Sequence, residues 1–122
     1  MSRTILAVDD SISIRQMVKL ALNRGGYEVI SAEDGNDGLA KARASKADMV
    51  ITDLNMPGMN GLALIREIRK LPSYTGVPII FLSTESDAGL KAEAKQAGAT
   101  GWIVKPFQAE QLLAAVRKVL GA

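Results

Sequence analysis

With 122 residues, 48% of them apolar and 23% charged, the chain is one domain's worth of ordinary globular composition. A domain of that size buries roughly two-thirds of the surface its unfolded chain exposes, enough for a real core. It has neither cysteine nor histidine, which excludes disulfides, thiolate metal centres, histidine general bases and self-phosphorylation on histidine.

The start, Met1 to Thr4, leads into an apolar stretch too short for a signal peptide before Asp9-Asp10 intervenes. That stretch, Ile5 to Val8, is the first of five short apolar runs that read as strands. Behind it Ile14, Met17, Val18, Ala21 and Leu22 recur at helical spacing until Gly25-Gly26 stops the helix. The second run, Tyr27 to Ile30, carries Glu28 and fits an edge strand; Leu39, Ala40 and Ala44 mark the helix after it, behind Gly35 and Gly38. The third run, Met49 to Thr52, precedes a helix with Leu62, Ile65 and Ile68, ended before Pro72. The fourth, Val77 to Leu82, is the longest apolar run, and Pro78 interrupts it, against the ~20 residues a membrane span needs. Its helix, around Leu90 to Ala97, has Leu90 as its single large apolar residue and should be lightly anchored. The fifth run, Trp102 to Val104, leads to a helix with Leu112, Val116, Val119 and Leu120 before Gly121.

Five alternating β and α units imply a parallel sheet covered by helices on both faces. The first, third and fourth runs are apolar throughout, as strands buried on both sides are. No repeat, linker or low-complexity segment divides the chain, so a single domain over residues 1–122 without an output domain is expected, monomeric and cytoplasmic. The net charge is +2 and the isoelectric point is near 9.0, yet the basic residues are spread over several helices. Setting aside Asp9, Asp10, Asp53 and Lys105 as one pocket leaves 14 basic and 10 acidic side chains, a mildly basic outer surface of +4. Neither nucleic-acid nor membrane binding is expected.

The functional signal is positional. The first strand ends at Asp9-Asp10, the third at Asp53, the fourth at Ser83-Thr84 and the fifth at Lys105-Pro106. In an open α/β sheet those carboxyl ends converge on one crevice. Taken singly, Asp9 or Asp10 reads as a helix cap, Asp53 as the start of a turn, Ser83 or Thr84 as a cap, Lys105 as a solvated lysine and Trp102 as core or a half-buried edge residue. Capping, however, does not require acids, a hydroxyl and a lysine to converge. Together they suit metal-assisted phosphoryl transfer. Three carboxylates supply the oxygen ligands magnesium prefers, and a cation relieves their mutual repulsion. Lysine can hold a phosphoryl oxygen as a point charge, serine can donate to another, and a carboxylate can be the nucleophile.

The set Asp9-Asp10, Asp53 with Met56-Pro57-Gly58 and Gly61, Ser83, and Lys105-Pro106-Phe107 resembles the receiver domain of two-component response regulators, over essentially the whole chain. The length resembles that of the single-domain chemotaxis regulators. The resemblance implies a flavodoxin-like, doubly wound (βα)5 fold with strand order 2-1-3-4-5. It implies Asp53 as phospho-acceptor, Asp10 as the main carboxylate ligand of Mg2+, Asp9 helping through water, and Asn55 giving a backbone carbonyl. It implies Lys105 on the phosphoryl group, a cis peptide between Lys105 and Pro106, Ser83 as switch hydroxyl and Trp102 at the switch aromatic position. Asn55, Thr84 and Glu85 stand where hydrolysis is tuned.

Two departures stand out. Trp102 is larger than the tyrosine or phenylalanine usual at its position, and Thr84 replaces a usual alanine or glycine, so its branched side chain should crowd the phosphoryl site. The implied partners are a CheA-like histidine kinase as donor, a target such as a flagellar motor switch protein, and a phosphatase. The protein would be a signalling switch that catalyses its own phosphorylation and slow dephosphorylation. Two other readings stay open. A Mg2+-dependent phosphatase would need a second acid where Asn55 stands, and a scaffold would bind partners without phosphorylation.

Overall fold

The computed structural model describes residues 3–120. Five strands and five helices alternate: β1 (Thr4–Val8), α1 (Ile12–Arg24), β2 (Glu28–Ala32), α2 (Gly35–Ala44), β3 (Met49–Asp53), α3 (Gly61–Arg69), β4 (Ile79–Ser83), α4 (Ala88–Ala97), β5 (Gly101–Val104) and α5 (Ala109–Leu120). All strand pairings are parallel, in the order β2-β1-β3-β4-β5. This is the flavodoxin-like doubly wound sheet expected from the sequence. Among the described residues no helix is long and apolar enough to cross a membrane.

Alternation along the strands divides the core in two. Leu6, Val8, Val50, Ile79 and Phe81 face α2, α3 and α4, whereas Ile5, Ala7, Met49, Ile51, Ile80 and Leu82 face α1 and α5. Every residue of β3 and β4 is buried, while β2 leaves Glu28 exposed at its edge. The boundaries differ slightly from the apolar runs. Pro78 has no N–H for the ladder, so β4 begins at Ile79, and β2 runs on to Ala32.

Helix ends follow local chemistry. Side chains of Ser11, Asp34, Asn60 and Asp87 accept the first free N–H groups of α1, α2, α3 and α4. The caps of α1 and α4 are therefore Ser11 and Asp87; Asp9, Asp10, Ser83 and Thr84 do not serve in that role. Tyr74, fully buried in a 3-10 turn after α3, uses its hydroxyl to accept from Ala47 N–H and to reach the carbonyls of Ala42 and Ser45. Arg69 donates to the carbonyls of Tyr74 at 2.8 Å and of Gly98 at 2.7 Å. Gly98 ends α4 at a φ of 112°, so a cation from α3 holds the last turn of α4. Elsewhere α4 is weakly held, with Ala94 its one buried residue.

Candidate functional site

The crevice is built at the carboxyl ends of β1, β3, β4 and β5, where the strand order reverses beside β1. Asp9 follows β1 and is buried. Its Oδ1 accepts from Ser11 N–H at 2.9 Å and its Oδ2 from Lys105 Nζ at 3.0 Å. Its own N–H donates to the Ala32 carbonyl at 3.1 Å, so the end of β2 also frames the site. Asp10, beside it, is exposed. Asp53 ends β3 and is 8% exposed; its Oδ1 accepts from Leu54 N–H at 2.9 Å and lies 3.3 Å from Lys105 Nζ. Its Oδ2 has no hydrogen-bond partner among the described residues.

The loop that carries Asp53 into α3 is closed on itself. Gly61 N–H donates to the Leu54 carbonyl at 2.8 Å, and a Cβ at Gly61 would collide with the Asp53 carbonyl and the Phe81 ring. Only glycine admits so close an approach. Asn55, within that loop, is exposed. On β4, Ser83 is fully buried and its Oγ accepts from Glu85 N–H at 3.0 Å, while Thr84 and Glu85 face outward. Lys105 is brought in by β5, its N–H donating to the Ser83 carbonyl at 2.8 Å, and the Lys105–Pro106 peptide is cis. Trp102, half-buried on β5, tilts against Phe81 at 5.6 Å between centroids. Its indole N–H donates to the Glu85 carbonyl at 2.9 Å, tying β5 to the loop after Ser83.

The structure thus brings Asp9, Asp10, Asp53 and Lys105 together, joins Ser83 to Lys105 through the backbone, and leaves Asn55, Thr84 and Glu85 exposed. One residue bonded to the crevice went unremarked in the sequence. Arg15 on α1 donates to the Asp9 carbonyl at 2.6 Å. A lone cation inside a helical pattern gives no sign of such a bond.

Carboxylate oxygens of Asp9, Asp10 and Asp53 lie within 4.8 Å of one another. Burial holds the Asp53 carboxyl above its ordinary value, the negative charge of Asp9 adds to this, and Lys105 opposes it. Three carboxylates face one ammonium, so the pocket is short of positive charge. The donors are oxygens throughout, without a sulfur or imidazole, which suits a hard divalent cation such as Mg2+.

Comparison with known proteins agrees with this arrangement. The family described as "Response regulator receiver domain" matches residues 5–117. Protein PilH of Pseudomonas aeruginosa is 36% identical over 116 residues, 95% of this chain and 96% of that protein. The chain spans about half (52%) of some longer curated response regulators it also matches. Chemotaxis protein CheY4 of Vibrio cholerae superposes with a TM-score of 0.95 at 47% identity, over 98% of this chain and 99% of that one. The receiver domain of sensor histidine kinase PA1611 from Pseudomonas aeruginosa superposes with a TM-score of 0.90 at 27% identity over the full length of both chains, and its structure has a magnesium ion in the active-site cleft.

Proposed function

The chain belongs to the response regulator receiver family, and from that premise we propose that it is a Mg2+-dependent phosphorylation switch whose acceptor is Asp53. Receiver domains of this CheY-like kind are two-component signalling modules rather than metabolic enzymes. The observation that carries the reading is the meeting of Asp53 with Asp9, Asp10 and Lys105, contributed by three strand ends.

The donor is a phosphohistidine on a CheA-like histidine kinase. Asp53 Oδ2, the oxygen left unbonded, attacks the phosphorus in line; the O–P bond forms as the P–N bond breaks, and the imidazole keeps the electron pair. Lys105 Nζ, already 3.3 Å from Asp53, holds a phosphoryl oxygen. Ser83 accepts from Glu85 N–H, so its own hydroxyl hydrogen is free to donate to another. Asp10 and Asp53 would ligate Mg2+ directly, Asp9 through water and Asn55 through its carbonyl. The ion, when bound, would neutralise charge on the carboxylates and phosphoryl oxygens. Asn55, Thr84 and Glu85 line the approach of the hydrolytic water.

The signal leaves through α4 and β5. When Ser83 turns to the phosphoryl group, the Glu85 carbonyl and the Trp102 indole bonded to it must follow. A cleft of about 200 Å³ beside Trp102, lined by Lys91, Lys95 and Thr100, changes with them. A motor switch protein in chemotaxis is the target we favour, on the similarity to CheY4.

Incubation with Mg2+ and acetyl phosphate, read by intact mass, tests the reading. The chain should gain one labile phosphoryl group and Asp53→Asn none. A variant labelled at the parent's rate, or rapid turnover of acetyl phosphate, would overturn it.

A further inference from the structure

The acidic turn is gripped from outside the pocket. Arg15, in the first turns of α1, donates from Nη1 to the Asp9 carbonyl at 2.6 Å. That oxygen belongs to the same planar peptide unit as the Asp10 N–H. The guanidinium therefore sets the orientation of the peptide from which Asp10 projects. Asp10 needs this, because it is exposed and its side chain has no hydrogen bond or ion pair among the described residues. Asp9 does not, because Ser11 N–H and Lys105 already fix both its oxygens.

Asp37, in the first turn of α2, feels the charge of Arg15 only as the smallest of the influences on its carboxyl. Asp37 in turn accepts from Glu33 N–H and from Lys41 Nζ, each at 3.1 Å, and Lys41 reaches the Ser31 carbonyl at 2.6 Å.

We propose that Arg15 is a positioning residue for the metal-binding pair, acting through the Asp9–Asp10 peptide to keep the Asp10 carboxylate turned toward Asp53. This rests on reading Asp9, Asp10 and Asp53 as the Mg2+ site. A purely electrostatic role has the opposite sign. A guanidinium beside the pocket repels a divalent cation, so on that view its removal tightens binding.

Calorimetric titration of the full chain with MgCl2, beside a thermal melt of the metal-free protein, separates these. Arg15→Met should bind Mg2+ about tenfold more weakly, as loss of a residue that orients a ligand does. Arg15→Lys keeps the charge and one donor but not the planar fork, and should fall between, about threefold weaker than the parent. Affinity unchanged or tightened in the methionine variant, or in the lysine variant should methionine not fold, overturns the role of Arg15. So does a lysine variant as weak as the methionine one. A parent chain that takes up no Mg2+ would instead overturn the proposed function, and this inference with it.

Discussion

Helices α3 and α4 lie side by side on one face of the sheet, and they are held in opposite ways. α3 buries Gly61, Leu62, Leu64, Ile65 and Ile68, and its first residue is pressed against the Asp53 carbonyl. α4 buries Ala94 alone and presents Lys91, Lys95 and Glu93 to solvent. On the proposed function, the difference matches what each would have to do. The residues that position a nucleophile must not drift, because small misplacements cost rate. A surface that reports a chemical event must be cheap to rearrange, and few buried apolar contacts make it so.

The largest expected effect would break this contrast if it failed. Ile65→Ala empties a fully buried site on α3 and should cost about 3 kcal/mol in urea unfolding, within the range for such truncations. Leu90→Ala, at a half-buried site on α4, should cost under about 1.5 kcal/mol, because less apolar surface is re-exposed. Equal losses would mean that α4 is as firmly packed as α3.

Asp53→Asn sharpens the contrast from the chemical side. Without metal, the native state holds the Asp53 proton to a higher pH than the unfolded chain does. Stability is therefore lost as pH rises from the ordinary carboxylate value through the raised one, and the full penalty persists above it. The variant lacks that penalty. At neutral pH its metal-free melting temperature should exceed the parent's. The gain should vanish below about pH 4, where the carboxyl is protonated in both states. Melts across that range check the sign.

Much of this was legible beforehand. Five apolar runs, with Glu28 marking an edge, were enough for the fold, because strands buried on two faces tolerate little else. The acids, hydroxyl and lysine at strand ends marked the crevice because parallel topology gathers those ends. What stayed hidden depends on geometry finer than pattern. Capping falls to Ser11 and Asp87, a few residues from the acids and hydroxyls that could equally have served. The Tyr74 hydroxyl joins segments 27 to 32 residues away in sequence, which no local spacing reveals. Arg15 looks like any solvated helix cation until its Asp9 contact is seen.

The smallest expected effect probes the border between the two regions. Thr84 follows the buried Ser83, faces outward and is not the cap of α4. Thr84→Ala should therefore leave the melting temperature unchanged while opening the approach of water to the phosphoryl group. We expect aspartyl-phosphate decay a few-fold faster, since about 1 kcal/mol in a barrier is roughly a factor of five. An unchanged decay rate would place Thr84 outside the path of the water.

The contact between Arg69 and Gly98 gives α4 a fulcrum. A helix of ten residues is about 15 Å long. With its last turn clamped by the guanidinium, a tilt of about 10° leaves Gly98 in place and carries the Asp87 end through roughly 2.6 Å, by the same rise per residue. The free end of this lever is the one joined through Asp87, Ser86 and Glu85 to Ser83, so on the proposed function a small turn of one hydroxyl would be read out at its longest arm.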